Sequence, residues 1–263
     1  MGEFIQGGPD LGALQPSFTS SSKPETPRTA SLIRSLALIP HMEGGYFVQT
    51  DEDPITIPST YPSEALSAET AALAGPVREG FNVDTRRLST TIFYLLTPRR
   101  PQGMFHRNRS RVIHTLHRGR GRYVLIHPGG HLETFVVGHA VERGERIQWV
   151  VEGNVWKASY LLPGKENFCE TRDVESEGLL ISETVVPGFE YCDHEFLTKQ
   201  GIRQLLPEYQ AHKLDWLVRQ SETPENGSEP RNQTNGIKPS SKYRDAASDE
   251  HDIEPSAPES AAT

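Results

Sequence analysis

The chain has 263 residues and a formal net charge of −8 at pH 7, with an isoelectric point of about 5.7. That balance offers no overall basic field for nucleic acid. No apolar run approaches the roughly 18 residues of a membrane span and no signal peptide opens the sequence, so a cytoplasmic protein with neither nucleic acid nor membrane as partner is expected. Two cysteines, Cys169 and Cys192, are too few for a disulfide framework.

Residues 1–28 set Gly, Pro, Ser and Thr around few large apolar side chains, and residues 221–263 hold only Ile237, Tyr243 and Ile253 as large apolar residues. Neither segment buries enough surface to offset the entropy of ordering, so both are expected to be disordered tails around one domain at 29–220. Thr29–Leu38 spaces Leu32, Ile33, Leu36 and Leu38 as a helix, capped by Thr29 or Ser31 and stopped by Pro40. Gly44-Gly45 then turns the chain into a strand at Tyr46–Thr50. Residues 51–88, rich in Pro, Ser, Ala and acidic residues, read as an inserted loop with room for a short helix at 65–74. Strands are predicted at Ser89–Leu96, Arg111–Leu116, Gly121–His127, His131–Val137, Arg146–Val151, Val155–Leu162 and Leu179–Val186. Strands this short, with turn signals between them, predict an all-β sandwich or barrel. Gln204–Leu217 is amphipathic but broken by Pro207, which gives a terminal helix pair.

Five blocks follow one another in an order that resembles a small family of RmlC-like cupins described as a domain of unknown function. They are His41-Met42-Glu43-Gly44-Gly45-Tyr46-Phe47, Ser89-Thr90-Thr91-Ile92-Phe93-Tyr94-Leu95-Leu96, His106-Arg107, Val151-Glu152-Gly153-Asn154-Val155-Trp156 and Val186-Pro187-Gly188-Phe189-Glu190-Tyr191. The resemblance implies a double-stranded β-helix, the cupin jelly roll, with short flanking helices and a small-molecule ligand in the barrel. Related cupins associate through their N-terminal strands, so Tyr46–Thr50 is expected to join a sheet edge of a second copy and make a homodimer. The chain departs from the family at Met42 and Glu152, each in place of a proline. It departs again at Arg111-Val112-Ile113-His114, where the family has Asp-Glu-x-Trp, and so looks like a diverged member.

The same region has the spacing of the general cupin metal motif. His106 takes the first His position, Asn108 the second and Val112 the Glu position, six residues before Gly119. Trp156 stands where the second cupin motif supplies a further His. Valine has no lone pair, and three protein ligands are the usual minimum at a catalytic metal site. Neither a metal nor another cofactor is expected on these positions.

If position 112 faces the barrel interior, alternation sends Val112, His114 and Leu116 inward and Ile113, Thr115 and His117 outward. His106, His114 and Glu43 are then the candidate catalytic residues. They would move protons on a small cyclic or anionic molecule, as an isomerase, epimerase or cyclase of secondary metabolism does. Desolvation lowers the pKa of an inward imidazole and frees it to act as a base near neutral pH, although a core His bonded to a carbonyl fits the same position. Arg107 is the candidate clamp for an anionic group. Tyr46, Tyr94, Trp156 and Phe189 are the candidate ring-binding surface. The competing readings are a binding module without catalysis and a metal-dependent oxygenase or isomerase.

Overall fold

The computed structural model describes residue 12 and residues 14–61, 80–164 and 178–220. The helix expected at 65–74, the tail at 221–263 and Cys169 lie outside the described residues. Thr26 caps α1 (Pro27–Ser35): its hydroxyl accepts from the Thr29 N–H at 3.2 Å, and Pro27 sits in the first turn, where no N–H is needed. The helix thus starts two residues before the expected Thr29. Ala37 then reverses the chain at φ 54° and drops Leu38 into the core.

The strands are β1 (Ile39–Pro40), β2 (Tyr46–Glu52), β3 (Thr56–Pro58), β4 (Thr85–Arg87), β5 (Thr90–Leu96), β6 (Gln102–Asn108) and β7 (Arg111–Arg118). They continue as β8 (Gly121–Ile126), β9 (Leu132–Val137), β10 (Gln148–Val151), β11 (Trp156–Leu161), β12 (Leu179–Val186) and β13 (His194–Phe196). Two helices, α2 (Lys199–Leu205) and α3 (Glu208–Leu214), close the domain and are parted at Leu206-Pro207. β3 and β4 pair as a ribbon inside the segment expected to be loop. β6 was not legible as a strand, because Phe105 and His106 are buried side by side and blur the period-2 pattern.

Six strands in the order β1-β2-β5-β12-β7-β10 form one sheet and five in the order β13-β6-β11-β8-β9 form the other. This is the all-β jelly-roll architecture that was expected. Tyr94, Leu96, Leu116, Tyr123, Phe135, Trp149 and Ile181 pack in a core that draws on both sheets. Phe105, Val124, Trp156 and Tyr160 instead join Ile202, Leu206 and Leu214, so α2 and α3 cover the outer face of the five-stranded sheet. Tyr46, Leu95 and Leu180 pack with Leu32, Ile33 and Leu36, so α1 covers the outer face of the other.

The expected disordered tail needs correction over residues 14–26. Leu14 is 1 % exposed in the core that includes α2 and α3, and Glu25 accepts hydrogen bonds from the hydroxyls of Tyr46 and Thr97, each at 2.8 Å. One buried leucine contributes about 1.5–3 kcal/mol, and the Glu25 hydrogen bonds add to it. β2 also differs from a bare edge strand: β5 pairs with one side, and β1 covers Tyr46 and Phe47 on the other. From Val48 to Glu52 that second side has no strand neighbour among the described residues.

Candidate functional site

A pocket of about 830 Å³, its open mouth included, lies at the β2 end of the barrel. Phe47, Phe189 and Tyr191 give it aromatic walls, while Glu43, Glu52, Glu183 and Glu190 bring four carboxylates to its surface. Arg87 is the one Lys or Arg among its described lining residues, and its Nε donates to Glu52 at 2.5 Å.

Glu43 reaches this site because of the two glycines beside it. Gly44 and Gly45 have φ of 110° and 64°, and a Cβ on Gly44 would lie 2.0 Å from the Gln102 carbonyl oxygen. Only glycine lets the chain lie so close to β6. The contact is fastened by the Met104 N–H donating to the Glu43 carbonyl at 2.7 Å. The Glu43 carboxylate then meets three imidazoles: His194 Nε2 at 2.9 Å, His106 Nε2 at 3.3 Å and His41 Nδ1 at 3.4 Å. His194 is held by the residue before it, since Asp193 takes Arg86 Nε at 2.6 Å and accepts from the Arg109 N–H on its carbonyl at 2.9 Å. Burial alone would raise the Glu43 carboxyl, but His106, His41 and His194 outweigh it and hold it well below the usual carboxylate range. Burial pushes His106 down to about 3, against the pull of Glu43 in the other direction.

A second cluster lies deeper. Lys157 Nζ donates to Glu183 at 2.6 Å and to His114 Nε2 at 3.1 Å, and that nitrogen is 3.3 Å from the same Glu183 oxygen. His114 is fully buried and stacks on Trp149 with ring centres 5.0 Å apart. Burial lowers its pKa, with Glu183 opposing and Lys157 reinforcing. Burial pushes the Glu183 carboxyl up, but Lys157 and His114 outweigh it and hold it far below the usual range. Glu183 also lines the pocket, so both clusters present a carboxylate to one space.

Of the catalytic candidates, Glu43 lines the pocket, and His106 stands against it, 6 % exposed. His114 points inward as alternation required, but its Nε2 lone pair is taken by Lys157, which leaves it no vacant basic nitrogen. Phe189 lines the pocket, and Tyr94 lies in the inter-sheet core with its ring 5.9 Å from His41. The structure turns the other three away. Arg107 sits 4.5 Å over the Trp156 ring and pairs with Glu195 at the surface. Trp156 belongs to the outer core under α2 and α3, and Tyr46 to the outer core under α1. In both strands the next residue, Lys157 or Phe47, is the one that faces the site. Sequence reasoning missed His41, His194, Lys157 and Glu183. The available signal was a charged residue inside an apolar strand, as in Trp156-Lys157-Ala158 and Ile181-Ser182-Glu183.

The absence of a metal was expected because Asn108, Val112 and Trp156 cannot join His106 in a ligand set. Those positions stand as read, yet Glu43 and His194 come from outside both cupin motifs. Their ligand atoms and that of His106 lie within 4.8 Å of one another. Two imidazoles and a carboxylate are a donor set that fits a first-row divalent ion.

Two facing antiparallel sheets, a pocket at one end and polar side chains converging on it define a cupin. The chain belongs to the cupin superfamily family DUF985, whose model matches residues 30–197. It is similar to an uncharacterized protein of Saccharomyces cerevisiae, 42% identical over 209 residues that cover 78% of this chain and 94% of the yeast protein. Among solved structures it is similar to a hypothetical protein from Leishmania major, with TM-score 0.54 and 25% identity over 73% of this chain and 98% of that one. A Shewanella oneidensis protein, with TM-score 0.52 and 22% identity over 72% of this chain and 96% of its own, shares the fold. No helix among the described residues is long and apolar enough to cross a membrane.

Proposed function

We propose that this cupin binds a compact ring molecule carrying several hydroxyl or amino donors, with the ring between Phe47, Phe189 and Tyr191. The observation that carries this reading is the pocket's charge. Among the described residues four glutamates line it, and the one lining Lys or Arg is already tied to Glu52. Carboxylates accept hydrogen bonds and repel anions, so donors on the ligand satisfy them and a phosphate or carboxylate on the ligand does not. The anionic ligand considered from Arg107 finds no clamp among these walls. Calorimetric titration of chelator-treated protein with ring compounds sorted by charge tests the reading. Neutral polyols or amines should bind, anionic analogues should not, and Phe189→Ala should weaken binding about tenfold. Tight binding of anionic analogues that survives Phe189→Ala would overturn it.

A proton-transfer enzyme of isomerase or epimerase type is the second reading. It is favoured by Glu43 and Glu183 facing one pocket with an imidazole behind each. Turnover of a bound ring compound, lost in Glu43→Gln while binding persists, would support it over a binding module.

We also propose a homodimer formed where a second copy adds to the open side of β2 at Val48–Glu52. Gln49 and Glu52 of that stretch line the pocket, so a partner added there would lie beside its mouth. Light scattering at micromolar concentration should give about twice the 29.3 kDa chain mass. A species that stays monomeric as concentration rises would refute it.

A further inference from the structure

We infer that Glu43, His106 and His194 form a binding site for a first-row divalent transition-metal ion, open toward the pocket. The argument starts from one hydrogen bond. His106 Nδ1 lies 2.8 Å from the Met104 carbonyl oxygen, and a carbonyl only accepts, so Nδ1 carries the ring proton. A neutral ring then has its lone pair on Nε2, which faces the ionised Glu43 oxygen 3.3 Å away. Two electron-rich atoms at that distance, both buried, repel each other unless a cation lies between them. Charging the ring instead would place an imidazolium where it is only 6 % exposed.

The spacing suits a metal. With metal–ligand distances of about 2.0–2.2 Å, neighbouring ligands on a tetrahedral ion lie about 3.4 Å apart, and two imidazoles on it have ring centres about 5 Å apart. Here Glu43 lies 3.3 Å from His106 Nε2 and, through its other oxygen, 2.9 Å from His194 Nε2, and the His106–His194 ring centres are 5.3 Å apart. Two neutral nitrogens and one carboxylate favour zinc, iron, cobalt or nickel over calcium or magnesium, which prefer all-oxygen shells. The hydrogen bond from His106 to the Met104 carbonyl is the outer-shell contact that fixes a ligating imidazole's tautomer. Glu43 is itself part of the pocket wall, so an ion held by it would lie beside the pocket. In the charge ledger of the barrel, Glu183 has Lys157 and Glu52 has Arg87, whereas Glu43 has imidazoles. The ion supplies the missing positive charge. This site stands on its own geometry and does not depend on which organic ligand the pocket takes.

The test uses the full chain, stripped with a chelator and titrated with zinc chloride by calorimetry, then with cobalt(II) followed by its visible absorption. One equivalent should bind. Glu43→Gln, His106→Ala and His194→Ala should each weaken it by more than the roughly 10–100-fold that loss of an outer-shell partner causes. His131→Ala removes one member of the other close histidine pair, His127 and His131, whose ring centres are 5.5 Å apart at a hairpin tip, and should leave binding unchanged. Melting curves of each variant show which are folded, and Glu43→Gln, which preserves shape, carries the test if an alanine variant unfolds. Failure to bind zinc or cobalt, binding indifferent to Glu43→Gln, or binding lost in His131→Ala would each overturn the assignment.

Discussion

The barrel holds two carboxylate–histidine clusters, and they differ in how their charge is closed. Around Glu183 the account is settled internally: Lys157 supplies a full positive charge at 2.6 Å and saturates the His114 nitrogen at 3.1 Å. Around Glu43 there are three imidazoles and, among the described residues, no ion pair to lysine or arginine. A buried carboxylate with a full counter-charge beside it is closed electrostatically without a ligand, whereas one that has only imidazoles as partners still favours a cation. The difference separates a cluster that organises the fold from one that is set up to bind.

The largest effect is expected at the closed cluster. Lys157→Met leaves Glu183 charged and buried without its partner, and should cost about 3–5 kcal/mol in denaturant unfolding. Adding Glu183→Gln to it should recover at least half of that loss, because the pair is then neutral on both sides. A loss under about 1 kcal/mol for Lys157→Met would mean that water reaches the pair, and the contrast would fail.

The acid limb of stability comes next. His114 faces Lys157, Glu183 and the Tyr123 ring, and its folded pKa is depressed, chiefly by burial. The unfolded chain therefore binds a proton that the folded chain refuses. The stability contributed is complete above the unfolded His value of about 6.5 and is lost as pH falls below it, at up to about 1.4 kcal/mol per pH unit. Glu183, also depressed, adds a loss in the same direction once pH falls below the unfolded carboxyl value of about 4.5. Unfolding free energies measured from pH 7 to 4 should show a shallower limb in His114→Gln, which keeps an acceptor for Lys157. An unchanged slope would show that His114 does not resist protonation.

Glu43→Gln should change stability by less than about 1 kcal/mol, or raise it, since it removes a buried charge that lacks a full counter-charge. A loss as large as that of Lys157→Met would make the two clusters equivalent and remove the reason to separate them. The smallest effect belongs to Arg107→Ala. Its pair with Glu195 is about 40% exposed on each side, so under about 1 kcal/mol of stability and no change in ligand affinity are expected. An affinity change of tenfold would return Arg107 to the site.

Much of the fold was legible in the sequence. The strand segments after Ser89, the Gly-Gly turn and the helix pair broken at Pro207 all have local causes, namely period-2 apolar patterning, a required positive φ and a missing N–H. Glu43 and His106 were legible too, because a carboxylate beside two glycines and a histidine in a recognisable block stand out from their neighbours. Leu14 and the β3–β4 ribbon were not, since each depends on a partner far away in the chain.

Within a strand the sequence by itself determines that neighbours point to opposite faces, but not which face is the inner one. On β7 the parity was tied to a motif position, and His114 was placed correctly inward. On β2 and β11 the conspicuous aromatics Tyr46 and Trp156 were taken as pocket walls, while the register puts Phe47 and Lys157 inside. A shift of one residue exchanges every side chain between core and outer face, and only pairing with neighbouring strands settles it. The tertiary structure also decided the company that Glu43 keeps. His194 lies 151 residues away and arrives through β13 pairing with β6, with Arg86 gripping Asp193 beside it. No local pattern encodes such a meeting, because its energy comes from burial and ion pairing between segments that touch only after both sheets have formed.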